Sequence, residues 1–191
     1  EGKGPFPAVI VYHSGLGLTP FECNKAKAMA KLGYLGVVAD MFGLDARGAQ
    51  PGDLTSYQKL TADPSVFRGR VVAWFDTVAA LPDADASRIG AFGFCMGGAS
   101  VLELARSGRD AKAVVSYHGS LTTHAPAKKG QVKPVVAAYC GLSDPYAPAD
   151  TIDALRKELS AAEAEYHIVE FANVGHSFTN PDAKGENPGV K

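Results

Sequence analysis

Ten consecutive residues, Ile89-Gly90-Ala91-Phe92-Gly93-Phe94-Cys95-Met96-Gly97-Gly98, carry a short apolar run straight into a helical pattern that continues to Arg106. Strand and helix meet without a linker, so the chain has to reverse on a tight, strained turn at the cysteine. Side chains two residues before and after such a turn would run into neighbouring backbone, which accounts for Gly93 and Gly97. The helix start then directs its partial positive charge at the sulfur and favours the thiolate. Cys95 thus reads as a nucleophile held on an elbow. The same spacing also suits a tight turn around a buried structural cysteine, and the rest of the chain decides between the two.

The flanking sequence alternates regularly. Ala8-Val9-Ile10-Val11-Tyr12 is a continuous apolar run, as a parallel strand buried on both faces requires. It ends in His13-Ser14-Gly15-Leu16-Gly17. Thr19-Pro20-Phe21-Glu22 then opens a helix, with Thr19 as N-cap, Pro20 in the first turn and Glu22 completing a capping box. That helix runs to Leu32 and stops at Gly33, and residues 34–39 form the next strand, ending at Asp40. Residues 41–63, rich in Gly, Asp, Gln and Pro, read as a long loop on the rim of a pocket. Helical spacing returns over 65–80 through Val66, Val71, Trp74, Phe75 and Val78, and Leu81-Pro82-Asp83-Ala84-Asp85 breaks it. The elbow strand is read over 88–92 and its helix over 96–106. Further strands are predicted over 111–117, 134–139 and 166–171, a polar loop over 122–133, and an amphipathic helix over 149–162 with Ile152, Leu155 and Leu159 inward. From Asn180 the tail is polar. Such alternation requires a mostly parallel central sheet with helices on both faces. With the elbow, the expected architecture is a single α/β-hydrolase domain over 1–191.

Composition excludes several classes. The 191 residues are 46% hydrophobic and 20% charged, with a formal net charge of -1. That is enough apolar mass for a full core, and it offers no basic run for nucleic acid or an anionic membrane. No apolar stretch nears the roughly 18 residues of a membrane span, and no signal peptide opens the sequence. Cys23, Cys95 and Cys140 form no CxxC pair, so neither a disulfide framework nor a metal site is expected. A reducing, cytoplasmic setting is.

Ligands of a parallel sheet bind at the carboxyl ends of its strands. That rule selects the loops at 13–17, from 40 onward, at the elbow, at 143–144 and at 175–176. A cysteine nucleophile needs a base, and the base needs an orienting group. His176, freed by Gly175 after the last strand, is the candidate base, and Asp144, after the preceding strand, the candidate acid. Singly, Ser143-Asp144-Pro145 is also ordinary turn chemistry and His176 an ordinary loop histidine. The chain order Cys95, Asp144, His176 is what points to a catalytic triad. The backbone N–H groups of Met96 and Gly15 are the candidate oxyanion donors. Ser14, His118 and Phe178 are the candidate substrate contacts, with a structural role equally open for His118. His13 reads as a core histidine at a strand end, with a substrate contact as the alternative, His124 and His167 as solvated, and Cys23 and Cys140 as packing residues.

Three motifs, Gly93-Phe94-Cys95-Met96-Gly97-Gly98, Gly141-Leu142-Ser143-Asp144-Pro145 and Gly175-His176-Ser177-Phe178, resemble the dienelactone hydrolase family, with Pro7-Ala8-Val9-Ile10-Val11 and residues 33–40 in support. The resemblance covers nearly the whole chain. It implies a compact α/β-hydrolase, a Cys-His-Asp triad, and hydrolysis of a small ester or lactone of the carboxymethylenebutenolidase type without a cofactor. A monomer or weak homo-oligomer is expected. The family usually has an N-terminal β-hairpin as well, and the abrupt start Glu1-Gly2-Lys3-Gly4-Pro5 leads to the expectation that this chain begins after it. Two departures stand out. Ser14 occupies the place where members carry a Glu that helps control the thiol. No Arg follows His176 in Ser177-Phe178-Thr179-Asn180, where members use one to grip a substrate carboxylate. Arg68 and Arg70 read either as a substitute charge or as solvated helix residues, and a neutral or differently shaped ester fits. A glutamine-amidotransferase-like reading lacks its His-x-Glu pattern here. A non-catalytic binding or redox-sensing protein using Cys95 is the alternative from another class. Gly93 to Gly98 has neither a G-x-G-x-x-G spacing nor a P-loop Lys, against nucleotide binding.

Overall fold

A computed structural model describes residues 4–46 and 52–181. Residues 47–51 of the expected rim loop and 182–191 of the tail lie outside the described residues. The strands are β1 (Phe6–Tyr12), β2 (Leu35–Ala39), β3 (Ala84–Phe94), β4 (Ala113–Tyr117), β5 (Val135–Gly141) and β6 (Tyr166–Phe171). The helices are α1 (Pro20–Lys31), α2 (Thr55–Thr61), α3 (Pro64–Ala79), α4 (Met96–Arg106) and α5 (Ala149–Ala161). The sheet has the order β2-β1-β3-β4-β5-β6, with every pairing parallel. The chain leaves β1 toward one edge, returns past it to β3, and then proceeds to the other edge. The crevice of such a sheet opens where the winding reverses, between the ends of β1 and β3.

Both faces are covered by helices. Ala8, Ile10 and Tyr12 of β1 join a large core with Val71, Phe75 and Val78 of α3, Val101, Leu102 and Leu104 of α4, and Ile152, Leu155 and Leu159 of α5. On the opposite face Val11 and Phe94 pack with Ala26 of α1 and the flanking ring of Phe21. That alternation follows from the two-residue period of a strand. From Phe94 a ladder of near-parallel rings crosses this second face. Phe94 to Tyr117 is 5.3 Å, Tyr117 to Tyr139 is 5.2 Å, and Tyr139 to Phe171 is 6.3 Å. Register places Phe94 beside Tyr117 and Tyr117 beside Tyr139.

The capping box of α1 is present. Thr19 accepts the Phe21 N–H, and Glu22 accepts the Thr19 N–H. Glu22 is 1% exposed, and its other oxygen lies 3.4 Å from the Ser14 N–H. One carboxylate thus ties the start of α1 to the loop after β1.

Several boundaries differ from the sequence reading, three of them by more than a frayed end. The 41–63 stretch holds a 3-10 turn, Leu44–Ala46, and α2. α2 is seven residues long with Leu60 as its buried residue and no side-chain cap, too short for a helical period to show. β3 begins at Ala84, because its register with β1 shifts between Pro7 and Ala8 and lets pairing resume early. In that shift Asp85 bonds Ser87 and Arg88 locally, which mimics a turn in the sequence. β5 continues through Cys140 and Gly141.

Charge is buried in the helical layer. Arg106, 2% exposed, gives Nε and Nη2 to the two oxygens of Glu158 at 2.9 and 2.8 Å, and Nη1 to Glu103 at 2.9 Å. Glu103 takes Arg68 Nε at 2.5 Å, and Arg68 reaches on to Thr123 and the Ala125 carbonyl. The network clamps α3, α4, α5 and the loop after β4 together. Arg68 is therefore no substrate charge, and Arg70 donates to the Met41 carbonyl at 2.8 Å. Arg106→Gln leaves two buried carboxylates short of a partner, and is expected to lower the unfolding free energy in urea by about 3–5 kcal/mol. Arg109→Gln breaks a solvent-exposed pair with Asp76, and its effect in the same titration is expected to stay below about 1 kcal/mol.

Candidate active site

The elbow is built as its glycines demand. Cys95 has φ +55° and ψ -114°, outside both helix and strand. A Cβ on Gly97 would stand 2.0 Å from the Tyr12 carbonyl oxygen, and one on Gly93 2.2 Å from the Gly97 carbonyl oxygen. Both obstacles are backbone and cannot yield. The strain at Cys95 is held by its N–H, which is shared between the Tyr117 carbonyl at 3.0 Å and His118 Nδ1 at 3.2 Å.

Three groups converge on the half-buried sulfur. The His176 ring and the backbone N–H groups of Gly15 and Met96 all hydrogen-bond to it. Gly15 comes from the loop after β1 and Met96 from the head of α4, the two walls of the crevice. Burial pushes the Cys95 thiol up. The hydrogen bond and charge of His176, then the two amides, outweigh it and bring the thiol below its ordinary value. His176 Nδ1 lies 2.8 Å from Asp144 Oδ2. Asp144 is 3% exposed, and its Oδ1 accepts the Tyr146 N–H at 2.9 Å. The loops of Asp144 and His176 are joined by Ser143 N–H to the Val174 carbonyl at 2.9 Å. Burial alone would lower the His176 imidazole. Its bonds to Asp144 and then to Cys95, with their charges, instead push it up to about 9. The arrangement sets a thiol, an imidazole and a carboxylate in sequence, the group types that nucleophilic attack on a carbonyl and delivery of a proton require.

His118 is buried, with its ring edge-on to His176 at 4.9 Å and to Phe178 at 5.3 Å. Phe178 also packs on Phe171, so it braces His118 from behind. Ser14 Oγ accepts the Leu16 N–H within its own turn. His13 is fully buried, its Nε2 accepting the Met41 N–H at 2.9 Å and its Nδ1 bonded to the Ser14 carbonyl at 2.6 Å, the strand-end core histidine expected. Three lining residues escaped the sequence reading. Tyr57 and Leu54 lie over Gly15, where a Cβ would stand 3.3 and 3.8 Å from them. The Cys95 charge, after burial, raises the Tyr57 phenol. Tyr146 stands edge-on to His176 at 4.8 Å. For Tyr146 the signal was present, since Asp144-Pro145-Tyr146 is an Asx turn. For Tyr57 there was none, because α2 shows no period.

A separate cavity of about 280 Å³ lies at the end of β2, lined by Asp40, Phe42, Gly43, Arg70, Ala73, Trp74 and Thr77. None of those residues belongs to the group around Cys95. Among the described residues no cluster of His, Cys, Asp and Glu is arranged to hold a metal ion, and no helix is long and apolar enough to cross a membrane.

The model of the dienelactone hydrolase family matches residues 1–190. The chain belongs to the dienelactone hydrolase family. The solved structure of a dienelactone hydrolase-like promiscuous phosphotriesterase from metagenomic libraries is 33% identical, with a TM-score of 0.83 over 100% of this chain and 80% of that one. An uncharacterized protein of Caenorhabditis elegans is 31% identical over 124 residues, 62% of this chain and 77% of its own length. A carboxymethylenebutenolidase of Pseudomonas putida is 24% identical over 200 residues, 96% of this chain and 79% of its own. In this chain Ser14 precedes Gly15 in the loop after β1, and the sulfur is bonded by His176 and the two amides.

The electrostatics predict a reactivity. Iodoacetamide is expected to alkylate Cys95 with a pH midpoint below the ordinary thiol value of about 8.5. Cys140, pushed up to about 11 by burial and then by Glu170 and Asp144, is expected to stay inert at neutral pH. In His176→Gln burial is left with less to oppose it, so the Cys95 midpoint is expected to rise, read by mass spectrometry across a pH series.

Proposed function

We propose that this carboxylic ester hydrolase cleaves neutral esters or lactones through the Cys95 thiolate. The observation that carries the reading is the convergence of the His176 ring and two backbone N–H groups on one sulfur, with Asp144 bonded behind the ring. The thiolate attacks the carbonyl carbon. As charge leaves sulfur for the carbonyl oxygen, the Gly15 and Met96 N–H groups transfer their bonds to that oxygen. The C–O bond then breaks, His176 gives its proton to the leaving alkoxide, and an acyl-thioester on Cys95 remains. His176, now neutral, takes a proton from water. The hydroxide adds to the acyl carbon, the C–S bond breaks, and the carboxylic acid leaves with the thiolate–imidazolium pair restored. Asp144 holds the His176 tautomer and stabilises its charged form throughout.

Neutral substrates are favoured by what surrounds the thiolate. The side-chain charge acting on Cys95 is that of His176. Arg68 and Arg70 are engaged with Glu103 and the Met41 carbonyl. The loops at this end of the sheet expose apolar side chains, with Leu16 60%, Leu54 41%, Leu142 47% and Tyr146 66% exposed. A reduced nucleophile suits a cytoplasmic setting, and the chain acts as a single domain, monomeric or weakly associating.

The test is a panel of p-nitrophenyl esters, simple lactones and a carboxylated dienelactone. Cys95→Ala is expected to lose about a thousandfold or more in kcat with its circular dichroism unchanged. Asp144→Asn is expected to lose about a hundred- to ten-thousandfold. kcat/KM is expected to rise as Cys95 loses its proton and to fall near pH 9 as His176 loses its own, the two limbs being values of the coupled pair. Among the described residues no side-chain cation besides His176 acts on Cys95, and a charged contact to a carboxylate is worth about 1.5–3 kcal/mol, so neutral p-nitrophenyl butyrate is expected to outrun the dienelactone. Full activity in Cys95→Ala would overturn the assignment. Fast alkylation with no turnover on any substrate would move the role of Cys95 to binding or redox sensing.

A further inference from the structure

Sheet order leaves a gap inside the site. Neighbouring strands are about 4.8 Å apart, so the ends of β3, which leads into Cys95, and β5, which leads into the loop of Asp144, are about 10 Å apart. His176 has to reach back from β6, one strand further. The residue just after β4 stands in the middle of that span, and it is His118. Its N–H donates to the Tyr139 carbonyl at 3.0 Å, and its backbone turns to φ +41°. The ring is thereby set between the elbow and the His176 loop. Nδ1 accepts the Cys95 N–H at 3.2 Å, and Nε2 lies 2.8 Å from Thr179 Oγ1, three residues beyond His176.

Resting on the hydrolase reading above, we infer that His118 is a positioning residue of the reaction, a neutral imidazole strut that joins the Cys95 backbone N–H to the Thr179 hydroxyl and fixes the His176 loop against the elbow. The bonding pattern sets the tautomer. An Nδ1 that accepts a backbone N–H carries no proton, so Nε2 carries it and donates to Thr179. Both nitrogens are committed, and His118 exchanges no proton with substrate. The titratable groups facing the ring are His176 from the loop after β6, Asp144 from the loop after β5 and Cys95 at the head of α4. Burial, then the charge of His176, push His118 down to about 4, with Asp144 pulling the other way. A proton on Nδ1 would face the Cys95 N–H donor to donor and place a second imidazolium 4.9 Å from His176. The strut therefore holds only while neutral, which is its state across the range where the pair works. It acts through His176. With the loop anchored at Thr179, the His176 ring is trapped between His118 and Tyr146 and kept in reach of the sulfur.

The test uses Thr179→Val, which keeps the shape and removes the hydroxyl, and Thr179→Ser, which keeps the hydroxyl. Each is read by p-nitrophenyl butyrate turnover and, independently of any turnover, by the pH profile of Cys95 alkylation with iodoacetamide. Misplacement of a reacting group by an ångström costs up to about a hundredfold. Thr179→Val is expected to lower kcat about tenfold with KM within about twofold, and to raise the alkylation midpoint as His176 loosens from the sulfur. Thr179→Ser is expected to restore both. His118→Asn tolerates a positive φ and keeps an acceptor near the Nδ1 position, but falls short of Thr179, and is expected to match Thr179→Val. An unchanged kcat and an unchanged midpoint in folded Thr179→Val would overturn the inference. A lowered melting temperature with both readouts intact would do the same, since that is the mark of a purely structural contact. If the wild-type protein turns over no ester, the proposed function fails, while the alkylation profiles still decide the role of His118.

Discussion

The backbone contact between Gly97 and Tyr12 sets the geometry on which the site depends. Helix α4 can start where it does only because its second residue lies flat against the last carbonyl of β1. That contact sets the distance between the loop after β1 and the head of α4. With β2 wound to the far side of β1, the two loops diverge around an open crevice at the reversal point of the sheet. The Gly15 N–H faces into it from one wall and the Met96 N–H from the other. A wider elbow would part the donors, and a tighter one is barred by the carbonyl oxygen. The strained conformation of Cys95 is the local cost of this fit, offset by the packing of α4 against β1, β3 and β4.

Two groups of charges divide the molecule. In the helical layer Arg68, Arg106, Glu103 and Glu158 form a balanced set of two cations and two anions, closed off from solvent and joined to backbone carbonyls. Such a set fixes how helices sit on one another and does little else. At the carboxyl end of the sheet, Asp144, His176 and Cys95 form an unbalanced one, with two anions for one cation when the thiol is ionised. Under the proposed mechanism the excess charge on sulfur is held by backbone dipoles, which release it to the carbonyl oxygen of the substrate. The difference between structural and reactive charge lies in that freedom.

How much of this was legible in the sequence depended on how local each signal was. The capping box of α1 occupies four residues and was read outright, as were α4 and β6, whose patterns are unbroken. The chain order of Cys95, Asp144 and His176 could be read because each follows a strand, although their distances could not. α2 was illegible, since a single buried residue makes no period. Tyr57 went unseen with it. His118 stayed open between two roles because its partners, the Cys95 N–H and Thr179, lie 23 and 61 residues away. Arg68 was left between a substrate charge and a solvated helix residue for the same reason, as its partner Glu103 lies 35 residues on. Local periodicity and turn chemistry are written in neighbouring residues, whereas side-chain pairing across layers exists only once the sheet is assembled.

The ladder of rings on the α1 face has an optical consequence. Tyr117 and Tyr139, 5.2 Å apart and 15° from parallel, are close enough for their transition dipoles to couple. Near-ultraviolet circular dichroism of this protein therefore carries a tyrosine signature that belongs to β4 and β5 and depends on their fixed packing. The chain has one tryptophan, and Trp74 lies on α3 across the sheet, its indole N–H on the Asp40 carbonyl at 3.2 Å. Indole fluorescence thus watches the layer of α3 while the tyrosine couplet watches the opposite face. The two faces of one sheet carry separate intrinsic chromophores, and the loosening of either can be followed without a label.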